Sequence, residues 1–544
     1  MNVLVFEQDK AYITRQLAAG EIDYVEAASE AAETELFKFV QAEGILAELA
    51  ETYPCKPRKQ DVPLWLYIAS DISLRLHGVN GFNQYPYVIR TGGLVNALGP
   101  SVGRKAVHPV TGQVTLHCPG FNDKNDYDRE TPCDQDYLRK TARRTDAAQL
   151  AAWYGEQMPR ILASRRMFDP DGIFIGDGSY LFVPDNPRYE GSVVMLFDEH
   201  NHPVDKEKVT KEQMRRCRWR RCYKWVTLIH TNRAGDFYFF VGMRVVSGKK
   251  GECPILYEMV DEFCAAAGRG VMKWLVVDRG FLDGERLGHL KTRWGVDTLS
   301  GLRSDMAVLE DARGVMKLGT VPWQEYRPAQ HVVPPRYSPQ PEPVARRERA
   351  RQRTLKKERK IAPPPPPEKV AVVNDLTSWS SCPVPLTVAL TERDDAEPWG
   401  LVTTRRTQDG AFLRDLYHVR EAIEERYRQT KLFWDLAGFH SPNFNLVVNQ
   451  VVFVALAYTL VQMHLKAESM TAFSRTTMPV LRRQILPYAN HVIVYHGSFF
   501  AFFSVPEYTA IILDIEGAAK DKLKRTMRRL QREFLHELQN VRSP

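Results

Sequence analysis

The 544-residue sequence predicts a mixed α/β core, interrupted by a long insertion with strand-like segments and flanked by mainly helical N- and C-terminal regions. Three observations predict it. Two short apolar runs, Gly172–Ser179 (GIFIGDGS) and Lys273–Gly280 (KWLVVDRG), each end in an aspartate followed by turn-forming residues. Between them lie two further strand-like runs, Lys224–Thr231 and Asp236–Val246, and a helical stretch, Cys253–Ala267. More than a hundred residues later comes a charged helical segment, YHVREAIEERYRQTK, spanning 417–431.

Five regions follow in chain order. Residues 1–160 are expected to be mainly helical, with helical periodicity over 14–51 and again over Val62–Leu76, and a Gly/Pro/Asn-rich stretch between Gly78 and Asp136 that reads as long loops or a small irregular subdomain. Residues 161–301 hold the first part of the core, in the order strand, strand, strand, helix, strand, closing with the strand-like Val296–Gly301. Residues 302–410 form the insertion. Its prolines, including the run Pro363–Pro367, deny much of it helix or central strand, while Pro385–Thr391 and Trp399–Thr404 read as strands. Residues 411–470 return to the core with the charged helix, followed by the 22-residue apolar stretch Phe444–Leu465. That stretch is long enough to span a membrane, but Asn445, Asn449, Gln450, Gln462 and His464 interrupt it, so a buried core helix is expected. Residues 471–544 end in a basic amphipathic helix, Lys520–Val541, suited to pairing with a second subunit, lying on DNA or packing on its own chain.

Composition narrows the class. Apolar residues at 44% and charged residues at 26% are ordinary for a multi-domain globular protein. Much of the net charge of +8 is local: residues 346–360 carry nine Lys and Arg against two Glu. Such a run serves either as an arm that neutralises DNA phosphates or as a solvated linker. Eight cysteines without a Cys-x2-Cys pair give no zinc site, and the N-terminus has no secretory pattern, so a reduced, cytoplasmic protein is expected.

The charged segment holds Tyr417, Arg420, Glu424 and Lys431 at the spacing Tyr-x2-Arg-x3-Glu-x6-Lys. On a continuous helix the four would share an arc of about 60°, placing a carboxylate among phosphate-holding groups. Arg428 falls on the same face. With Asp177 and Asp278 upstream, Glu424 completes a set of three acids. Cutting a phosphodiester at neutral pH calls for an activated water and charge stabilisation at the leaving oxygen, which two metal ions about 3.5–4 Å apart supply. Mg²⁺, with Mn²⁺ as a substitute, prefers such oxygen ligands. Asp177 is expected to bridge both ions and Asp278 and Glu424 to hold one each. Glu421, Glu425, Asp171, Asp185 and Asp283 are rivals that point elsewhere on the helix or lie in expected turns.

The Asp-Gly-Ser setting of Asp177, the Asp-Arg-Gly setting of Asp278 and the four-residue spacing resemble the YREK-type insertion-sequence transposases, bacterial cut-and-paste enzymes of the DDE group. The resemblance implies a ribonuclease-H-like catalytic core with a β-rich insertion. It also implies cleavage at mobile-element ends and joining of the 3′ hydroxyl to target DNA, through a hairpin in some members. Partners would be double-stranded DNA, as terminal inverted repeats and target, and a second copy of the chain in a homodimer; when bound, the protein would sit on the nucleoid. Residues 1–160 would bind the DNA ends and 471–544 would dimerise or contact DNA. Trp399 would stack on a flipped base, with Trp323 and Trp379 behind it, although a core tryptophan on a strand is the commoner case. A structure-selective nuclease that cuts without joining, and a host-adopted DNA-binding protein, are the alternatives.

Overall fold

The computed structural model describes residues 134–327, 368–392 and 398–469 without a break and the remainder with gaps, the largest being 328–367, 475–490 and most of 86–133. The chain forms two compact units, 145–478 and 1–144 with 479–544.

The larger unit is built on one ten-stranded sheet. Its strands are β1 (Ile173–Val183), β2 (Val193–Phe197), β3 (Arg218–Thr231), β4 (Phe239–Ser247), β5 (Trp274–Val277), β6 (Asp297–Gly301), β7 (Gln324–Tyr326), β8 (Glu368–Leu376), β9 (Leu386–Glu392) and β10 (Trp399–Thr403). The spatial order is β7-β8-β9-β10-β6-β5-β1-β3-β2, with β4 also pairing β3. β5 runs parallel to both β1 and β6, whereas β3 is antiparallel to β1 and to β4. Parallel strands covered on both faces read as continuous apolar runs. β5, Trp-Leu-Val-Val, is such a run and is buried throughout; all five residues of β6 are buried too, although only Leu299 among them is a large apolar side chain.

The expected strands and helix are present in order, with an additional strand, β2, between the first and second, and the insertion does not stand apart from them. β10 pairs antiparallel with β6, so β7 to β10 extend the core sheet rather than form a separate domain. The helices are α1 (Ala147–Ser164), α2 (Cys253–Ala267), α3 (Ala307–Lys317), α4 (Gly410–Val419), α5 (Ala422–Leu432) and α6 (Phe444–Ala467). α1 packs on β4, α2 and α6; α3 and α4 cover β8 and β9; α5 lies against β1. α6 is apolar enough to cross a membrane, yet 83% of its apolar window is buried in the unit. Its polar residues serve the interior. Thr459 accepts a hydrogen bond from the Phe240 amide, and Gln462 from that of Tyr238.

The second unit departs from the expected helical ends. Within 14–51 the segment Tyr24–Ala28 is a strand, and Gly497 at φ +58° turns His491–His496 into Phe499–Ser504 as a hairpin. These strands and Glu7–Gln8 form one four-stranded sheet, so the two ends of the chain fold together. Helix α1, expected in the N-terminal region, belongs to the larger unit. The β-branched and aromatic run HVIVYHGSFFAFF explains the hairpin. The strands it pairs with lie more than 460 residues away, beyond the reach of local periodicity.

Candidate functional site

The register of two parallel strands places the first pair of acids. Gly176 on β1 pairs with Val277 on β5, so the next residue on each strand, Asp177 and Asp278, stands beside the other. Adjacent strands lie about 4.8 Å apart, which sets the spacing of the two backbones. Asp278 is at the tip of β5, where it caps the following turn through the Arg279 amide at 2.8 Å. Asp177 is not at a tip, contrary to expectation. β1 continues to Val183 because residues 178–183 pair with β3; only the neighbour β5 ends here, and Asp177 opens on that side.

Asp177 accepts a hydrogen bond from the Gly178 amide at 2.8 Å and faces the Arg420 guanidinium at 3.8 Å. Burial pushes its carboxyl up to about 7, with the Gly178 amide and Arg420 opposing and the nearby Glu252 and Asp278 charges adding to the rise. Burial thus outweighs the amide and the guanidinium that favour the charged form.

The charged segment is two helices rather than one. α4 ends at Val419 and α5 begins at Ala422. Across the junction the amides of Arg420, Glu421, Ile423 and Glu424 bond to carbonyls three residues back, which winds the backbone more tightly than an α-helix. The shared arc predicted from 3.6 residues per turn therefore does not hold. Tyr417 in the last turn of α4 lies beside Asp278 and beneath the Arg420 guanidinium, 5.6 Å from its ring centre; burial raises its phenol. Arg420 sits in the junction, within the fields of Asp177, Asp278 and Glu424, and these acids together with Tyr417 raise its guanidinium against burial. Glu424 is exposed in the first turn of α5. Lys431, in the last turn, points into the fold: its Nζ donates to Ser179 Oγ at 2.6 Å and to the Tyr180 carbonyl at 2.8 Å, and burial lowers it to about 8.

Two expected DNA-holding residues are engaged elsewhere. Arg428 forms a two-pronged pair with Glu425, at 2.6 and 2.5 Å, and lies over Phe433. Helical phase put it on the site face; the ion pair one turn back holds it instead. Trp399 starts β10, packs half-buried on the core under the sheet and carries the Arg414 guanidinium 4.5 Å from its ring centre, so the core alternative describes it. Trp323 and Trp379 are half-buried, and the basic run 346–360 lies outside the described residues. Among the rivals, Glu421 pairs with His418, Glu425 with Arg428 and Asp185 with Arg221, while Asp283 caps a short helix.

Sequence reasoning missed Glu252. It precedes α2, pairs with Lys224 at 3.4 Å and presses on β1 where Gly178 leaves room; a Cβ at 178 would come within 2.3 Å of its carboxylate. Gly178 was the available signal, since a glycine inside a strand marks a close approach.

Among the described residues no three His, Cys, Asp or Glu stand close enough to hold a metal ion. Asp177 and Asp278 nevertheless fit a hard divalent cation. They are adjacent oxygen donors, and a cation placed between them would favour the charged form of Asp177 that burial opposes. Glu424 joins them electrostatically through Arg420.

Residues 189–460, half of the chain, match the family model described as Transposase DDE domain. The match includes Asp278, the whole charged segment and Trp399, and begins after Asp177. Comparison with curated proteins gives no match.

Proposed function

The chain belongs to the transposase DDE domain family and is a DNA-cutting and DNA-joining transposase, and on that premise we propose that Asp177, Asp278 and Glu424 are its catalytic carboxylates. The observation that carries this reading is the β1–β5 register, which sets Asp177 beside Asp278 at the edge where β5 ends. The three acids would hold two Mg²⁺ ions, or Mn²⁺ in their place, and these would supply an activated water and neutralise charge at the leaving oxygen. Arg420, bonded to the Tyr417 side chain and 3.8 Å from Asp177, orients that carboxylate and offers its remaining donors to a DNA phosphate. Tyr417 sets the guanidinium from below and borders Asp278. Lys431 fixes α5 to β1 beside Asp177 and is a positioning residue here, not a grip on DNA.

The four-residue signature favours a YREK-type enzyme acting on terminal inverted repeats as a homodimer, in the cytoplasm on nucleoid DNA. The unit formed by 1–144 and 479–544 would then recognise the ends. Incubating the protein with Mg²⁺, a labelled element end and a target plasmid tests the reading. Joined product supports it; cleavage without joining favours a structure-selective nuclease, and binding alone a host-adopted protein. Asp177→Ala, Asp278→Ala and Glu424→Ala should each abolish cleavage while DNA binding survives, and an active Glu424→Ala protein would remove Glu424 from the site.

A further inference from the structure

β3 runs unbroken from Thr231 to Arg218 and continues past the site. Thr227 is the partner of Asp177 across the β1–β3 ladder, and its hydroxyl bonds to Tyr427 of α5 at 2.7 Å. Side chains alternate along a strand, so Trp219, eight residues on, lies on the same sheet face as Thr227. At about 3.3 Å per residue it stands roughly 26 Å from the acids. That distance is about eight steps of a DNA strand at ~3.4 Å each.

This end of β3 is unusual in composition and exposure. Arg215, Arg216, Arg218, Arg220 and Arg221 fall within seven residues that contain no acid. Trp219 is 58% exposed, one of the few large apolar side chains left open among the described residues. The arginines divide by role. Arg221 is tied to Asp185 at 3.2 Å, and Arg220 lies on the Phe182 ring and bonds to Asn201. Arg216 has Glu199 at 3.8 Å. Arg215 and Arg218 are exposed and have no acidic partner among the described residues. Arg218 also repels the half-buried Arg220, and an anion placed between them would relieve that repulsion.

We propose that the Arg215–Trp219 end of β3 is a contact for duplex DNA leading away from the cut, with the Trp219 indole against the groove wall on the face of the acids and Arg218, which alternation turns to the opposite face beside Arg220, joining Arg215 on phosphates at the strand's end. The inference rests on the transposase reading and adds the surface that holds DNA beyond the reacting phosphate. Charge complementarity commits it to DNA: a strand end with unpaired guanidiniums favours a polyanion over a second protein surface, whose buried centre is depleted of charge.

The test uses the full-length protein and a labelled 40-base-pair duplex, with Kd measured across a KCl series. Arg218→Gln should weaken binding several-fold and reduce the slope of log K against log salt by about 0.9, one phosphate contact. Trp219→Ala should weaken binding with the slope unchanged. Arg160→Gln, an exposed arginine paired with Glu156 on α1, serves as the control and should alter neither. Both test positions are exposed, and melting curves confirm that the variants fold. Wild-type Kd and slope in Arg218→Gln overturn the proposal. So does a changed sedimentation state of Trp219→Ala with DNA affinity intact, which would mark a protein interface. If the wild-type protein joins DNA while Arg218→Gln binds normally, only this inference fails; if the wild type neither cuts nor joins, the transposase reading fails with it.

Discussion

Asp177 shows how one residue can be costly to the fold and useful to the site. Its carboxyl is raised to about 7 from an ordinary 3.8, so the folded protein holds a proton that the unfolded chain releases. An acid raised in this way contributes stability that is fully present below its unfolded value and lost as pH climbs from about 4 to about 7. Asp177→Asn, which cannot ionise, should therefore melt above wild type in EDTA. The gap should widen between pH 4 and 7 and stay constant above, as followed by differential scanning calorimetry. Mg²⁺ should raise the melting temperature of wild type at pH 8 and leave the variant unmoved. Equal melting curves at every pH would show that Asp177 is not the strained group described here.

At the scale of elements, the contact between α5 and β1 depends on one ammonium. Lys431 supplies both the Ser179 hydroxyl and the Tyr180 carbonyl, and leaving these half-buried partners unsatisfied costs about 1 kcal/mol, the low end for buried groups. Lys431→Met should lower stability by that amount in urea denaturation and reduce cleavage in parallel. Loss of DNA affinity at unchanged stability would instead mark Lys431 as a phosphate grip. Elements of this kind were only partly legible in the sequence. The apolar runs of β1 and β5 and the acids that follow them could be read because doubly covered parallel strands are apolar throughout. That Asp177 lies inside a strand could not, since Gly178 and Ser179 read as a turn until β3 is seen pairing beyond them. The α4–α5 junction contains neither proline nor glycine, so periodicity ran through it. The partners of Arg428 and Trp399 were hidden for a similar reason: helical phase and strand position say where a side chain starts, while Glu425 and Arg414 decide where it rests.

At the scale of the whole molecule, the second unit draws its sheet from both ends of the chain. The two inner strands of its four, His491–His496 and Phe499–Ser504, come from the C-terminal segment. Deleting residues 479–544 should therefore leave 1–144 open to trypsin while 145–478 keeps its resistance, as read by limited digestion and mass spectrometry. Equal protection of 1–144 would mean that it folds without those strands.

The pairing of β6 with β10 also bears on how the protein is made. Gly301 meets Leu401, a residue synthesised a hundred positions later. At about 5–20 residues per second, roughly 5–20 s of translation pass before that partner exists. Throughout that interval the nascent chain on the ribosome offers the unpaired far edge of a strand that is buried in the finished fold to any other strand in reach. Soluble yield should accordingly depend on translation speed between codons 302 and 403 and on chaperones that shield that edge.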